Sequence, residues 1–197
     1  MPTICAAVRT STSVVEIRHL DIEGLIELRP PRFDDQRGFF SEVWRNVWQA
    51  QIGRSVEFVQ DNHSYSRCRG VLRGMHFQVA PAGQDKLVRV ARGSIFDVAI
   101  DVRSQSPSFG KWAGTIISAR DWNQLFVPEG FAHGFVTLED DTEVLYKASS
   151  PYAPELERTV RFDDPAIGVE WPIDADQLIV SEKDRAAPLL AELEMGF

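Results

Sequence analysis

Short apolar runs of strand length, each closed by turn-forming residues, recur between residues 39 and 147. The clearest is residues 95–102. There Phe96, Val98, Ile100 and Val102 fall on one face and Asp97, Ala99, Asp101 and Arg103 on the other, the period of two of a β-strand. Residues 88–90 precede it across Ala91-Arg92-Gly93-Ser94, a tetrapeptide suited to a hairpin turn. Similar pieces occupy residues 39–44, 56–60, 114–118, 124–127, 134–138 and 143–147. Asp34-Asp35-Gln36-Arg37-Gly38, Ser106-Pro107-Ser108-Phe109-Gly110 and Pro128-Glu129-Gly130 carry the turn chemistry between them. Helical patterning is confined to residues 46–52 and a stretch near 186–195. Such a chain reads as an all-β sandwich or barrel with a few short peripheral helices. No repeat, low-complexity segment or linker divides it, so residues 1–197 read as a single domain, with residues 1–14 loosely held.

At 197 residues the chain is large enough to bury a core without staples. Its formal charge of −8 disfavours a nucleic-acid partner, and an anionic ligand requires a local basic patch. No apolar stretch approaches the ~20 residues that span a bilayer. The weakly apolar start has no charged region before it, so the expected location is cytoplasmic, with no membrane role. Cys5 and Cys68 share no motif spacing and read as reduced thiols.

Chemistry-bearing residues crowd onto the strand-like pieces. Residues 60–78 (QDNHSYSRCRGVLRGMHFQ) hold two of the four histidines, His63 and His76, and residues 127–135 (VPEGFAHGF) supply His133. Proton-transfer and anion-binding groups on strands suggest the inside of a β-structure used as a reaction chamber. Strict alternation puts Leu72, Gly74, His76 and Gln78 on one face and Arg73 on the other. A bulge at Gly74 brings Arg73 and His76 to the same side. Lys86 and Arg89 flank Leu87-Val88, so at least one of them projects into such a cavity. There is no Walker-type loop, no GxGxxG and no GxSxG, which leaves acid–base chemistry as the natural expectation.

In unchanged order, residues 33–39 (FDDQRGF), 58–64 (FVQDNHS), 70–78 (GVLRGMHFQ), 86–90 (KLVRV), 96–103 (FDVAIDVR) and 106–112 (SPSFGKW) carry a resemblance. It continues through residues 127–135, Tyr146-Lys147, Asp163-Asp164-Pro165, residues 167–172 (IGVEWP) and 181–189 (SEKDRAAPL). Over residues 33–189 the chain resembles the dTDP-4-dehydrorhamnose 3,5-epimerase family, sugar-nucleotide epimerases of the cupin (double-stranded β-helix, jelly-roll) class. The resemblance implies an isomerase that inverts C3 and C5 of dTDP-4-dehydro-6-deoxy-D-glucose and yields dTDP-4-dehydro-L-rhamnose. His76 resembles the general base, Asp184 the carboxylate that orients it, and Tyr146 the acid on the opposite face of the sugar. A histidine's ordinary pKa of about 6.5 suits a base near neutrality. Lys86 is the candidate partner of the enolate oxygen. No redox cofactor or metal is implied.

Arg73, Asn62 and His133 resemble groups around the sugar and diphosphate, with Arg185 adding to the diphosphate. Arg37, Glu42, Gln60, Glu157 and Lys183 match positions at the nucleotide end, partly from a second subunit, which implies a homodimer with residue exchange. Tyr152 falls where an aromatic ring stacks on thymine, with Phe33 as a second wall. His63 and Asp97 read as structural. Met75 stands where the family usually has leucine, Phe162-Asp163 replaces a tryptophan-asparagine pair, and Arg158 replaces a glycine. Three alternatives accompany this reading. One is an epimerase of a single carbon, and another a sugar-nucleotide binding protein without chemistry. The third is a metal-dependent cupin using His63, His76 and His133; the close histidine pair of such proteins is missing, because Gly74 and Gln78 occupy those places.

Overall fold

The structure, a computed structural model, describes residues 14–193. Cys5 and all but the last residue of the loosely held N-terminal segment lie outside the described residues. The alternating runs form fourteen strands among these residues. They are β1 (Glu16–His19), β2 (Ile26–Arg29), β3 (Phe33–Asp35), β4 (Gly38–Phe40), β5 (Gln60–Ser66), β6 (Val71–Gln78) and β7 (Lys86–Arg92). They continue with β8 (Ser94–Asp101), β9 (Trp112–Ser118), β10 (Gln124–Val127), β11 (Phe131–Thr137), β12 (Thr142–Ala148), β13 (Glu157–Thr159) and β14 (Ile179–Val180). One sheet runs β1-β2-β10-β7-β12-β5; the other runs β13-β6-β11-β8-β9, with β14 beside β6. β3 and β4 form a separate ribbon. The β14–β6 pair is parallel and the others are antiparallel. Two facing antiparallel sheets make this the jelly roll that the sequence predicts.

Apolar side chains of both sheets meet between them. Val88, Leu125 and Val144 of the first pack with Ile95, Ala99, Ile117 and Phe135 of the second. The outer faces are covered too. Leu28, Leu87 and Phe126 lie under Trp48, Ile52 and Val56. Val98, Ile100 and Val102 lie under Val160, Trp171 and Leu190. The apolar face of β8 therefore packs against the C-terminal segment, and its other face, with Asp97, turns inward. Both faces are buried, as in sheets covered on two sides.

Several local expectations change. The tetrapeptide 91–94 is not a hairpin: β7 and β8 belong to different sheets. Gly93 (φ +80°) turns the chain from one sheet to the other past Thr142, whose Oγ1 would lie 2.4 Å from a Cβ at that position. β4 stops at Phe40 rather than residue 44. Residues 56–59 precede β5 as irregular chain, because the Val56 carbonyl accepts from Gln49 Nε2 (2.6 Å) instead of joining a ladder. Residues 46–52 form a 3-10 turn (Asn46–Trp48) and α1 (Gln49–Ile52). Of the stretch 186–195, the described residues 186–193 do not form the expected helix. α2 (Glu182–Arg185) ends before it, Pro188 lacks an N–H to continue one, and only a 3-10 turn at Leu190–Glu192 follows. Its backbone docks on the chain that follows β13 instead: the Pro188 carbonyl accepts from Arg161 N–H (2.9 Å), and Leu190 N–H donates to Asp164 Oδ2 (2.7 Å).

β6 and β11 meet with a register irregularity between His133 and Phe135. Gly74 (φ +135°) lies against Gly134 there. A Cβ on Gly74 would sit 2.5 Å from Gly134 Cα, and one on Gly134 would sit 2.6 Å from Met75 Sδ and 2.7 Å from the Arg73 carbonyl. Only a pair of glycines allows this approach, and it sets His76 beside His133. Gly134→Ala is expected to destabilise the fold by about 1–3 kcal/mol, the usual cost of overpacking where backbone cannot yield. Urea unfolding checks this, and an unchanged midpoint would mean that the strands are not held so close.

Candidate active site

A cavity of about 530 Å³ opens between the sheets, a volume suited to a small-molecule ligand. Its wall takes side chains from both. Arg73, His76 and Gln78 come from β6, His133 from β11 and Glu157 from β13. Gln60 and Ser64 come from β5, Lys86 from β7 and Tyr146 from β12, on the facing sheet. Tyr152 follows β12, and Lys183 and Asp184 come from α2.

Local sequence explains how Asp184 arrives. Ser181 caps α2, its Oγ accepting from Asp184 N–H (3.1 Å), so the carboxylate sits in the first turn and points at β6. Asp184 is buried, and its Oδ1 accepts from His76 Nε2 at 2.6 Å. That bond leaves Nδ1 as the ring nitrogen able to take a proton. Burial pushes the Asp184 carboxyl upward, but its hydrogen bond and charge interaction with His76, with help from Ser181, hold it below the usual carboxylate range. A second histidine–carboxylate pair lies deeper: His133 Nε2 meets Asp97 Oδ1 at 2.8 Å, both side chains buried.

Burial also shifts the other two groups of the wall. Desolvation lowers the Lys86 ammonium to about 8 despite opposition from Glu157 and Asp97, and its Nζ donates to the His76 carbonyl (3.2 Å). The Tyr146 hydroxyl is pushed up by burial, which outweighs the nearby Arg73 guanidinium. Tyr146 therefore stays a phenol at neutral pH. Arg73 is tied to β5 through the Tyr65 carbonyl (3.2 Å) and Ser66 Oγ (3.4 Å).

At the rim, Tyr152 Oη donates to Glu157 Oε2 (3.2 Å), and Glu157 also pairs with Lys183, whose ammonium is raised by that bond. Gln60 Oε1 accepts from Tyr152 N–H (3.0 Å), and Gln78 Oε1 from Ala153 N–H (2.8 Å), so two amides of the wall brace the loop that presents the ring.

One chain thus brings together His76, Tyr146, Asp184, Lys86, Gln60, Arg73, His133, Tyr152, Glu157 and Lys183. The others do not border this cavity. Asn62 lines a smaller neighbouring space of about 280 Å³ that also touches Tyr146. Arg185 is exposed on α2. Phe33 is exposed on the β3–β4 ribbon, Arg37 pairs with Asp35 beside it, and Glu42 pairs with Arg45 (3.4 Å). The ribbon hydrogen-bonds to neither large sheet, so the chain's own cavity lies beyond it. The three-histidine metal alternative loses one member, since His63 is on the exposed side of β5 and meets Glu143 at 3.1 Å. Among the described residues no group of three or more His, Cys, Asp or Glu side chains is placed to hold a metal ion.

Ser64 and Gln78 are wall residues that the sequence did not nominate. Ser64 left a trace there: the less exposed positions of β5 are Gln60, Asn62, Ser64 and Ser66, polar without exception. An inward face with no apolar residue is the mark of a cavity wall.

The lowered Lys86 has a direct readout. Its ammonium is expected to lose its proton with a midpoint near 8, followed by NMR of the lysine side chain in the ligand-free protein. A midpoint near the ordinary 10.4 would mean that Lys86 is solvated.

Over most of its length the chain is similar to known proteins. A family model described as dTDP-4-dehydrorhamnose 3,5-epimerase matches residues 19–192. A dTDP-4-dehydrorhamnose 3,5-epimerase of Salmonella typhimurium is 52% identical over 171 residues, covering 86% of this chain and 92% of the relative. A crystal structure of dTDP-6-deoxy-D-glucose-3,5-epimerase from Legionella pneumophila, in complex with dTDP-4-keto-L-rhamnose, superposes with a TM-score of 0.88 at 40% identity, covering 92% of this chain and 95% of that one. A 3'-monoepimerase from Streptomyces bikiniensis, in complex with dTDP-quinovose, matches with a TM-score of 0.81 at 36% identity, covering 87% and 86%.

Proposed function

The chain belongs to the dTDP-4-dehydrorhamnose 3,5-epimerase family, and on that premise we propose that it epimerises C3 and C5 of dTDP-4-dehydro-6-deoxy-D-glucose, yielding dTDP-4-dehydro-L-rhamnose. One observation carries the reading: two proton-transfer groups stand on opposite walls of one cavity, His76 on β6, paired with Asp184 of α2, and Tyr146 on β12 of the facing sheet.

The chemistry follows from the substrate's C4 ketone, which acidifies the hydrogens on C3 and C5. His76 takes one of them on Nδ1. The C–H electron pair moves into an enolate, and the C4 oxygen gains the negative charge. The Lys86 ammonium stabilises that oxygen, while Asp184 stabilises the imidazolium. Tyr146 then gives its phenolic proton to the opposite face of the same carbon, which inverts the centre. One proton leaves the sugar and one arrives, and exchange with solvent resets both groups. No electron passes to another molecule, so the step needs no redox partner. Arg73 beside Tyr146 eases the phenolate that forms.

Arg73 provides local positive charge for a diphosphate on an acidic chain, with the His133 imidazole on the same wall as a hydrogen-bonding neighbour. Tyr152, half exposed above Glu157 and Lys183, is the stacking surface for thymine. Phe33, Arg37 and Glu42 act across a homodimer, the ribbon of one copy reaching the cavity of the other. The exposure of Phe33, Phe39 and Phe40 on that ribbon supports this part of the reading. The similarity to a 3'-monoepimerase keeps a single-carbon epimerase as the second reading.

Turnover in heavy water, followed by NMR, tests the proposal and separates the two readings. Deuterium is expected at both C3 and C5. Label at one carbon alone would favour the second reading, and none at either would overturn both. His76→Ala is expected to lower kcat by about 10²–10⁴-fold, the usual worth of a positioned base. Tyr146→Phe is expected to keep exchange from the His76 face while inversion falls.

A further inference from the structure

Among the described residues, three buried side-chain polar atoms have no hydrogen-bond partner: Asn62 Nδ2, Ser64 Oγ and Asp97 Oδ2. Folded chains seldom leave such groups unpaired, because a group taken from water without a new bond is destabilising. Only Ser64 among the three borders the large cavity. Gln60 and Ser66 on the same face of β5 are engaged, Gln60 with Asn62 Oδ1 and Tyr152, and Ser66 with Arg73. Ser64 stands opposite Val144 in β12, two positions along that strand from Tyr146. Ser64 thus borders the cavity on the stretch of wall between Arg73 and Tyr146, with its hydroxyl set unpaired into that wall.

We infer that Ser64 is a substrate contact whose hydroxyl hydrogen-bonds an oxygen of the sugar nucleotide and so fixes the sugar against the Tyr146 wall. The inference rests on the sugar-nucleotide reading above. A serine hydroxyl is neutral and can donate to a phosphate or ketone oxygen or accept from a sugar hydroxyl, so it positions the ligand without adding charge. The free protein then carries an unpaired hydroxyl that only the complex satisfies. Function retained against stability is a recurrent pattern at binding sites.

The distinctive consequence is that one substitution moves stability and activity in opposite directions. Ser64→Ala is expected to leave the Tm of the free protein equal to or above that of the parent. It is expected to lower kcat/KM roughly tenfold, the upper range for one neutral hydrogen bond. It is also expected to shrink the Tm increase produced by dTDP-glucose, a probe that lacks the C4 ketone and is not turned over. A fall in the free-protein Tm would show that the hydroxyl has a structural partner, and would overturn the inference. So would an unchanged kcat/KM together with a parental response to dTDP-glucose. If the parent itself shows no Tm shift with dTDP-glucose, the sugar-nucleotide reading fails, and the Ser64 contact fails with it.

Discussion

The hydrogen bond between His76 and Asp184, 2.6 Å long, ties the middle of a strand to a four-residue helix 108 positions later. Everything proposed for the cavity depends on it. Without the carboxylate, the imidazole has no partner to select its tautomer or balance its charge, and Nδ1 has no reason to be the basic nitrogen. The bond needs two supports. Ser181 starts the helix and aims Asp184. The Gly74–Gly134 contact brings β6 close enough to β11 for His76 to stand where it does.

The cavity concentrates what the rest of the chain dilutes. The whole molecule is acidic, with a formal charge of −8, yet Arg73, Lys86 and Lys183 border one cavity, beside Glu157 and Asp184. Burial acts on two groups of the wall. It brings the Lys86 ammonium down to about 8, and it keeps the Tyr146 phenol protonated. Low dielectric strengthens whatever charge interaction remains, so the enolate oxygen would meet a cation worth more here than in water.

Much of this was legible in the sequence, for identifiable reasons. An all-β sandwich or barrel follows from short alternating runs separated by turn residues, and the resemblance narrows it to a jelly roll. The Gly74 irregularity follows from Arg73 and His76 needing one side of a strand that alternation would split. The residue-order resemblance brought Tyr146 and Asp184 beside His76, which no local pattern could do. Connection was less legible. The turn at residues 91–94 looks like a hairpin because alternation says nothing about which sheet a strand joins, and Gly93 instead carries the chain between sheets. The stretch 186–195 has helical apolar spacing, but in its described part Pro188 and the backbone bonds to Arg161 and Asp164 after β13 prevail. Phe33, Arg37 and Glu42 stay outside their own chain's cavity, on or beside a ribbon that joins neither large sheet, a placement that residue type does not reveal.

A crystal structure with a bound dTDP-linked hexose tests the central claim most directly. His76 Nδ1 and the Tyr146 hydroxyl should lie within reach of the C3 and C5 carbons on opposite faces of the ring, with Lys86 Nζ toward the C4 oxygen. A hexose that meets both groups on the same face, or that binds outside the wall they share, would contradict the account.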